Sequence, residues 1–183
     1  MNKVKIINHC LENARQVSSV NYNQRPDGCK IRLLVLHNIS LPPGQYKNDF
    51  VEKFFTNALD HSIHPYFRTI EGLKVSSHLF IRRDGEVIQF VPFDQRAWHA
   101  GASCFDGEEN CNDFSIGIEL EGQDDEPYER IQYDVLLKIS RELMNTYPEI
   151  SPAKICGHSD ISSGRKTDPG AAFDWKYFRR KLS

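Results

Sequence analysis

Two histidines and one aspartate are the residues of this chain best suited to hold a metal ion. His37 closes the apolar run IRLLVLH, just ahead of the loop-forming Leu41-Pro42-Pro43-Gly44. His158 closes a second short run, KICGH, and Asp168 follows across SDISSGRKT, a stretch long enough to fold back as a loop. Two imidazoles and a carboxylate make a three-ligand zinc set, leaving a fourth position for water or a substrate carbonyl, which is what separates a catalytic site from a structural one. The spacing alone is no motif: the chain has no HExxH, and only the fold can bring His37 to His158. The ordinary alternatives are strand-end histidines bonded to backbone or water, and an aspartate serving the turn before Pro169-Gly170.

Other groups could complete such a site. Glu119 lies in the strand-like SIGIELEG, on the face opposite Ile116, Ile118 and Leu120. An unpaired charge in an apolar strand is costly, so a functional partner would explain it, and a carboxylate near an activated water could move its proton. The alternative is the outward face of an exposed strand. Lys166 could place an ammonium near a developing oxyanion, or be one more solvated lysine of GRKTDPG. Trp98 and His99 could line a groove. Cys156, two residues before His158, is too far along a strand to be activated directly as a thiol nucleophile, and no glycine-rich turn has the context of a nucleotide site.

The elements that must position these residues are legible in outline. IRLLVLH reads as a central strand, and SHLFIRR and EVIQFV flank Asp84-Gly85, a strong hairpin signal. Asp49 to Leu59 reads as a helix with Phe50, Phe54, Phe55 and Leu59 on one face. Helices are also expected over about 128–146, before Pro148, and 173–182, with short strands at 115–122 and 154–158. Residues 8–30 lack periodicity and read as an irregular N-terminal arm covering part of the same domain. Strands alternating with helices imply one mixed sheet with helices packed on it.

Composition narrows the function. A chain of 183 residues fits one domain that buries roughly 70% of its extended surface, so neither disulfide nor metal is needed merely to fold it. With 25 acidic against 23 basic residues and a net charge of -2, no broad nucleic-acid footprint is expected. Five cysteines, an odd number without a CxxC unit, suit free thiols in a reducing compartment. The start, MNKVKIINHCLENARQ, carries charge where a signal peptide needs an apolar segment, and no apolar run is long enough to span a membrane. A cytoplasmic protein is expected.

The segments LLVLHNISLPPG, SSHLFIRRDGEVIQFVPFDQRAWHAG, CNDFSIGIELEG and GHSDISSGRKTDPGAAFDW together resemble the zinc N-acetylmuramoyl-L-alanine amidases, most closely their cytosolic branch, over about Arg25 to Phe178. The resemblance implies an α/β single domain, residues 25–183 with 1–24 as an arm, built on a central mixed, mainly antiparallel β-sheet flanked by helices. It implies one zinc ion per chain on His37, His158 and Asp168, with Glu119 serving water activation and Lys166 stabilising the tetrahedral intermediate. The substrate implied is a soluble muropeptide, cut between (1,6-anhydro-)N-acetylmuramic acid and L-alanine during peptidoglycan recycling, with no obligate protein partner and no membrane insertion. Trp98, His99, Ala100 and Asn110 match positions of the substrate groove. Asn110 replaces a basic residue of relatives, so another cation, Arg82, Arg83 or Arg96, would have to meet the peptide carboxylate. Competing readings are a module that binds wall fragments without cutting them and an amidase of intact wall.

Overall fold

The computed structural model describes residues 4–182. Its main sheet contains β1 (Arg15–Gln16), β2 (Leu33–Ile39), β3 (Leu79–Ile81), β4 (Val87–Gln89), β5 (Ser115–Glu121) and β6 (Ile155–Gly157), in the order β6-β2-β5-β3-β4-β1. Among the described residues five α-helices flank it: α1 (Phe50–Phe55), α2 (Pro65–Arg68), α3 (Arg130–Thr146), α4 (His158–Ile161) and α5 (Trp175–Leu182). The sheet is mixed and flanked by helices, as expected, but the expected mainly antiparallel pairing is corrected. β6–β2, β2–β5, β5–β3 and β4–β1 are parallel, and only β3–β4 is antiparallel. The physical reason is connection length. Asp84-Gly85, with Gly85 at φ 89°, joins β3 to β4 by a tight turn, whereas the other neighbours are separated by long connections, which permit parallel pairing.

Both faces of the sheet are covered. Leu34 and Leu36 of β2 and Ile116, Ile118 and Leu120 of β5 pack with Leu136, Ile139 and Leu143 of α3 and Phe178 of α5. On the other face Leu33 and Val35 meet Ala100, Phe114, Cys156 and Ile161. Phe80 and Ile88 there pack against Val51, Phe54 and Phe55 of α1. Burial on both sides is why LLVL shows no alternation. Each such Leu or Ile contributes about 1.5–3 kcal/mol.

The N-terminal arm is more regular than its sequence suggests. Ile6–Ile7 pairs with Cys10–Leu11, β1 forms the edge of the main sheet, and Tyr22–Gln24 pairs with Gln95–Ala97. Strands of two or three residues are too short to show a period of two, so long-range pairing alone reveals them. Leu11 is buried, and its N–H donates to Gln89 Oε1 at 2.8 Å.

Strand register then places the chemistry. β2 runs two residues past His37 because β5 pairs with it throughout, Glu119 opposite His37 and Glu121 opposite Ile39. β6 pairs Gly157 with Leu36 and ends there, so His158 opens α4 instead of continuing the strand. His37, Glu119 and His158 therefore gather towards the carboxyl ends of three adjacent parallel strands, where a crevice can form outside the sheet.

Candidate metal centre

The fold closes the long sequence gap. His37 Nδ1, His158 Nδ1 and Asp168 Oδ2 stand at the corners of a triangle with all three sides 3.0 Å. Both histidines are buried, and the Asp168 side chain is 14% exposed. The Asp168 loop is seated at several points. Its carbonyl accepts the Ser159 N–H at 3.0 Å, and Tyr128 Oη–H donates to the Pro169 carbonyl at 2.8 Å. Gly170 adopts φ 81° against the Asp124 backbone, where a Cβ would lie 2.1 Å from Asp124 Cα. Any other residue there would push the loop off.

The protons needed to hold this triangle by hydrogen bonds are missing. His158 Nε2 lies 3.0 Å from the Ala100 carbonyl, which can only accept, so neutral His158 carries its proton on Nε2 and turns a bare Nδ1 inward. Burial, countered only in part by Asp168, brings His37 down to about 4, so at neutral pH its ring has a single N–H. Burial pushes the Asp168 carboxyl up, and the imidazole contacts more than reverse this, leaving it a carboxylate. With His158 in the neutral form that a metal ligand must take, at most one proton is left for three contacts between acceptor atoms. A cation among them removes the repulsion. Tetrahedral zinc with bonds of about 2.0–2.1 Å sets its ligands roughly 3.3 Å apart, within a few tenths of an ångström of this triangle. The donor set also has the outer-shell acceptor that imidazole ligands of metals use.

Glu119 and Lys166 line the same cleft as the triangle, a space of about 320 Å³. Glu119 is buried and its Oε2 has no hydrogen-bond partner. Burial, reinforced by the Asp168 carboxylate and offset by Lys166, pushes its carboxyl well above the usual glutamate range. Such a carboxyl is poised to gain and lose a proton. Lys166 is exposed on the loop between α4 and Asp168, with its N–H bonded to the Ser162 carbonyl at 3.1 Å.

The four groove positions scatter. Trp98 and His99 line the cleft, but Trp98 Nε1–H is held by Asn23 Oδ1 at 2.7 Å, and His99 is buried with Nδ1 3.0 Å from His37 Nε2. Ala100 is fully buried, and its carbonyl lies 3.0 Å from His158 Nε2 while also accepting from Arg165 Nη2 at 2.8 Å. Asn110 is exposed at φ 60°, a left-handed position that asparagine tolerates, and does not line the cleft. The expected substitutes for its missing charge are already engaged: Arg82 with Glu52 and Glu86, Arg83 with Glu126 and Glu129, Arg96 with Asp113. None of the three lines the cleft, and each is paired with a carboxylate of this chain. Sequence reading also missed the apolar wall formed by Leu41, Phe54, Tyr66, Ile70 and Val75. Its signal was present in the aromatic-rich segments around α1 and α2, but a half-buried helix face looks the same whether it meets core or cleft.

Comparison with known proteins identifies the family. The family model described as N-acetylmuramoyl-L-alanine amidase matches residues 6–171. The 1,6-anhydro-N-acetylmuramyl-L-alanine amidase AmpD of Escherichia coli K12 is 53% identical over 173 residues, 94% of each chain. A crystal structure of a selenomethionine AmpD derivative superposes with a TM-score of 0.94 at 49% identity, covering 97% of this chain and 99% of that one. Escherichia coli AmiD, solved with anhydro-N-acetylmuramic acid-L-Ala-D-gamma-Glu-L-Lys, is 27% identical with a TM-score of 0.60, over 86% of this chain and 60% of its own. The family match over most of the chain and the near full-length identity to AmpD show that this chain belongs to the N-acetylmuramoyl-L-alanine amidase family of hydrolases.

Proposed function

We propose that the protein is a zinc-dependent amidase that cuts the bond between 1,6-anhydro-N-acetylmuramic acid and L-alanine in soluble muropeptides released by peptidoglycan turnover, and that it works in the cytoplasm. The observation that carries the metal reading is the proton-poor triangle of His37, His158 and Asp168, open to the cleft that Glu119 and Lys166 line. Similarity to AmpD and to the AmiD complex supports the substrate class. Five free thiols fit a reducing compartment.

His37, His158 and Asp168 would hold the zinc, which when bound would lower the pKa of water and polarise a carbonyl. Glu119 takes the proton from the attacking water, because its unpartnered Oε2 has no competing bond to break. The ammonium of Lys166 balances the charge that develops on the lactyl oxygen. When the C–N bond breaks, Glu119 returns its proton to the departing nitrogen, giving a lactyl carboxylate on the sugar and a free L-alanine amine on the peptide. Trp98 and the apolar wall exclude water and hold the substrate's body.

The direct experiment is mass spectrometry of products after incubating metal-quantified protein with anhydromuramyl-tripeptide and, separately, with the reducing muramyl-tripeptide. Intact tripeptide from the anhydro compound alone establishes the proposal. Equal cleavage of both retains the amidase and removes the sugar preference. No cleavage by zinc-loaded protein makes this a binding module.

A further inference from the structure

Resting on the zinc reading above, we infer that His99 is a positioning residue: through Ser115 and the Cys111 carbonyl it fixes the His37 proton on Nε2, and so keeps Nδ1 bare for the metal. The assignment follows from the direction of each bond. Ser115 Oγ lies 2.5 Å from the Cys111 carbonyl oxygen, and two oxygens approach that closely only with the hydroxyl proton between them. Ser115 Oγ must then accept at its other contact, from His99 Nε2–H at 3.1 Å. With its one ring proton committed to Ser115, the neutral His99 ring turns a bare Nδ1 towards His37. The 3.0 Å contact from His37 Nε2 to His99 Nδ1 therefore carries the proton of His37.

The surroundings hold His99 in this orientation. Its ring lies over Gly117, where a Cβ would meet His99 Cγ at 2.5 Å. Asn112 Oδ1 accepts the backbone N–H groups of both His99 and Ala100, at 3.1 and 2.8 Å. One dipeptide thus serves both imidazoles: the His99 ring fixes the tautomer of His37, and the Ala100 carbonyl fixes that of His158. With both set, all three inward atoms are acceptors, as a metal site requires. A histidine in the cleft wall that reads as a substrate contact is, in this arrangement, spent on the metal ligand.

The test compares H99N with H99F. The asparagine variant would keep an acceptor where Nδ1 stood but leave a gap, whereas the phenylalanine variant would fill the space and offer no acceptor. Zinc affinity measured by chelator competition is expected to fall about 10–100-fold in H99F and to remain near wild type in H99N. Packing alone predicts the reverse order. Independently of any variant, ring-nitrogen NMR of the metal-free wild type is expected to place the His37 proton on Nε2. A proton on Nδ1 of His37, or wild-type zinc affinity in H99F, overturns the inference. H37A separates the two levels of argument: if H37A loses zinc while H99F does not, only the His99 role fails, and if H37A keeps wild-type affinity the zinc reading fails with it.

Discussion

Glu119→Gln should make the metal-free protein more stable while making it a worse enzyme. Glu119 is buried beside Asp168 with Oε2 unpartnered, and its pKa is raised well above the ordinary 4.5. Between 4.5 and the raised value the folded protein holds more protons than the unfolded one, so this group makes stability fall as pH rises. Glutamine removes the cost of keeping this buried carboxyl protonated but leaves an unpaired amide, which is the smaller penalty. The difference corresponds to about 1–3 kcal/mol at neutral pH, or roughly 2–12 °C in Tm for a chain of this size. Below pH 4.5 the wild-type carboxyl is protonated in both states and the gain should vanish. The assay is thermal unfolding of both proteins in chelator from pH 4 to 8, repeated with zinc, where a nearby cation favours the carboxylate and should shrink the gain. Hydrolysis by the zinc-loaded variant should slow by roughly 10²-fold or more. A variant that is less stable at pH 8, or equally stabilised at both ends of the range, would refute the reasoning about burial, and full activity would remove the proton-transfer role.

Other expectations follow from the same cleft. Asp168→Ala removes one of three ligand atoms and leaves two bare imidazole nitrogens facing each other, so bound zinc, read by metal analysis, and activity should be lost together. Lys166→Met should lower kcat by about 10–10³-fold while zinc content stays at wild type, because the ammonium acts on developing charge and not on the metal. Gly117→Ala would force the His99 ring to shift from its 2.5 Å encounter to ordinary contact, costing about 1–3 kcal/mol in denaturant unfolding and weakening zinc in chelator competition.

Much of the architecture was readable from local signals. Asp84-Gly85 predicts the β3–β4 hairpin because few other dipeptides suit its turn, and the apolar run before His37 predicts a buried strand. The spacing of Tyr128, Ile131, Val135, Leu136, Ile139 and Leu143 predicts one helix face, of which Leu136, Ile139 and Leu143 of α3 pack into the core while Ile131 is exposed. The four segments around His37, Trp98, Glu119 and Asp168 carry the family resemblance, and the family match bears it out. Where local order is weak the reading ran short: β1 is two residues long and is a strand only because β4 lies beside it.

Residue types and their order determined by themselves which chemistry was available: two imidazoles, a carboxylate, a strand glutamate and a loop lysine. Tertiary structure decided how those groups are spent. It buried Glu119 with Oε2 unpartnered, paired Arg82, Arg83 and Arg96 with carboxylates of this chain, and set His99 against His37. It also made the sheet mainly parallel, which brings three strand ends to one crevice. Side-chain type is a local property, but charge state, tautomer and pairing depend on which atoms lie within about 3 Å, and residues far apart in sequence supply those atoms.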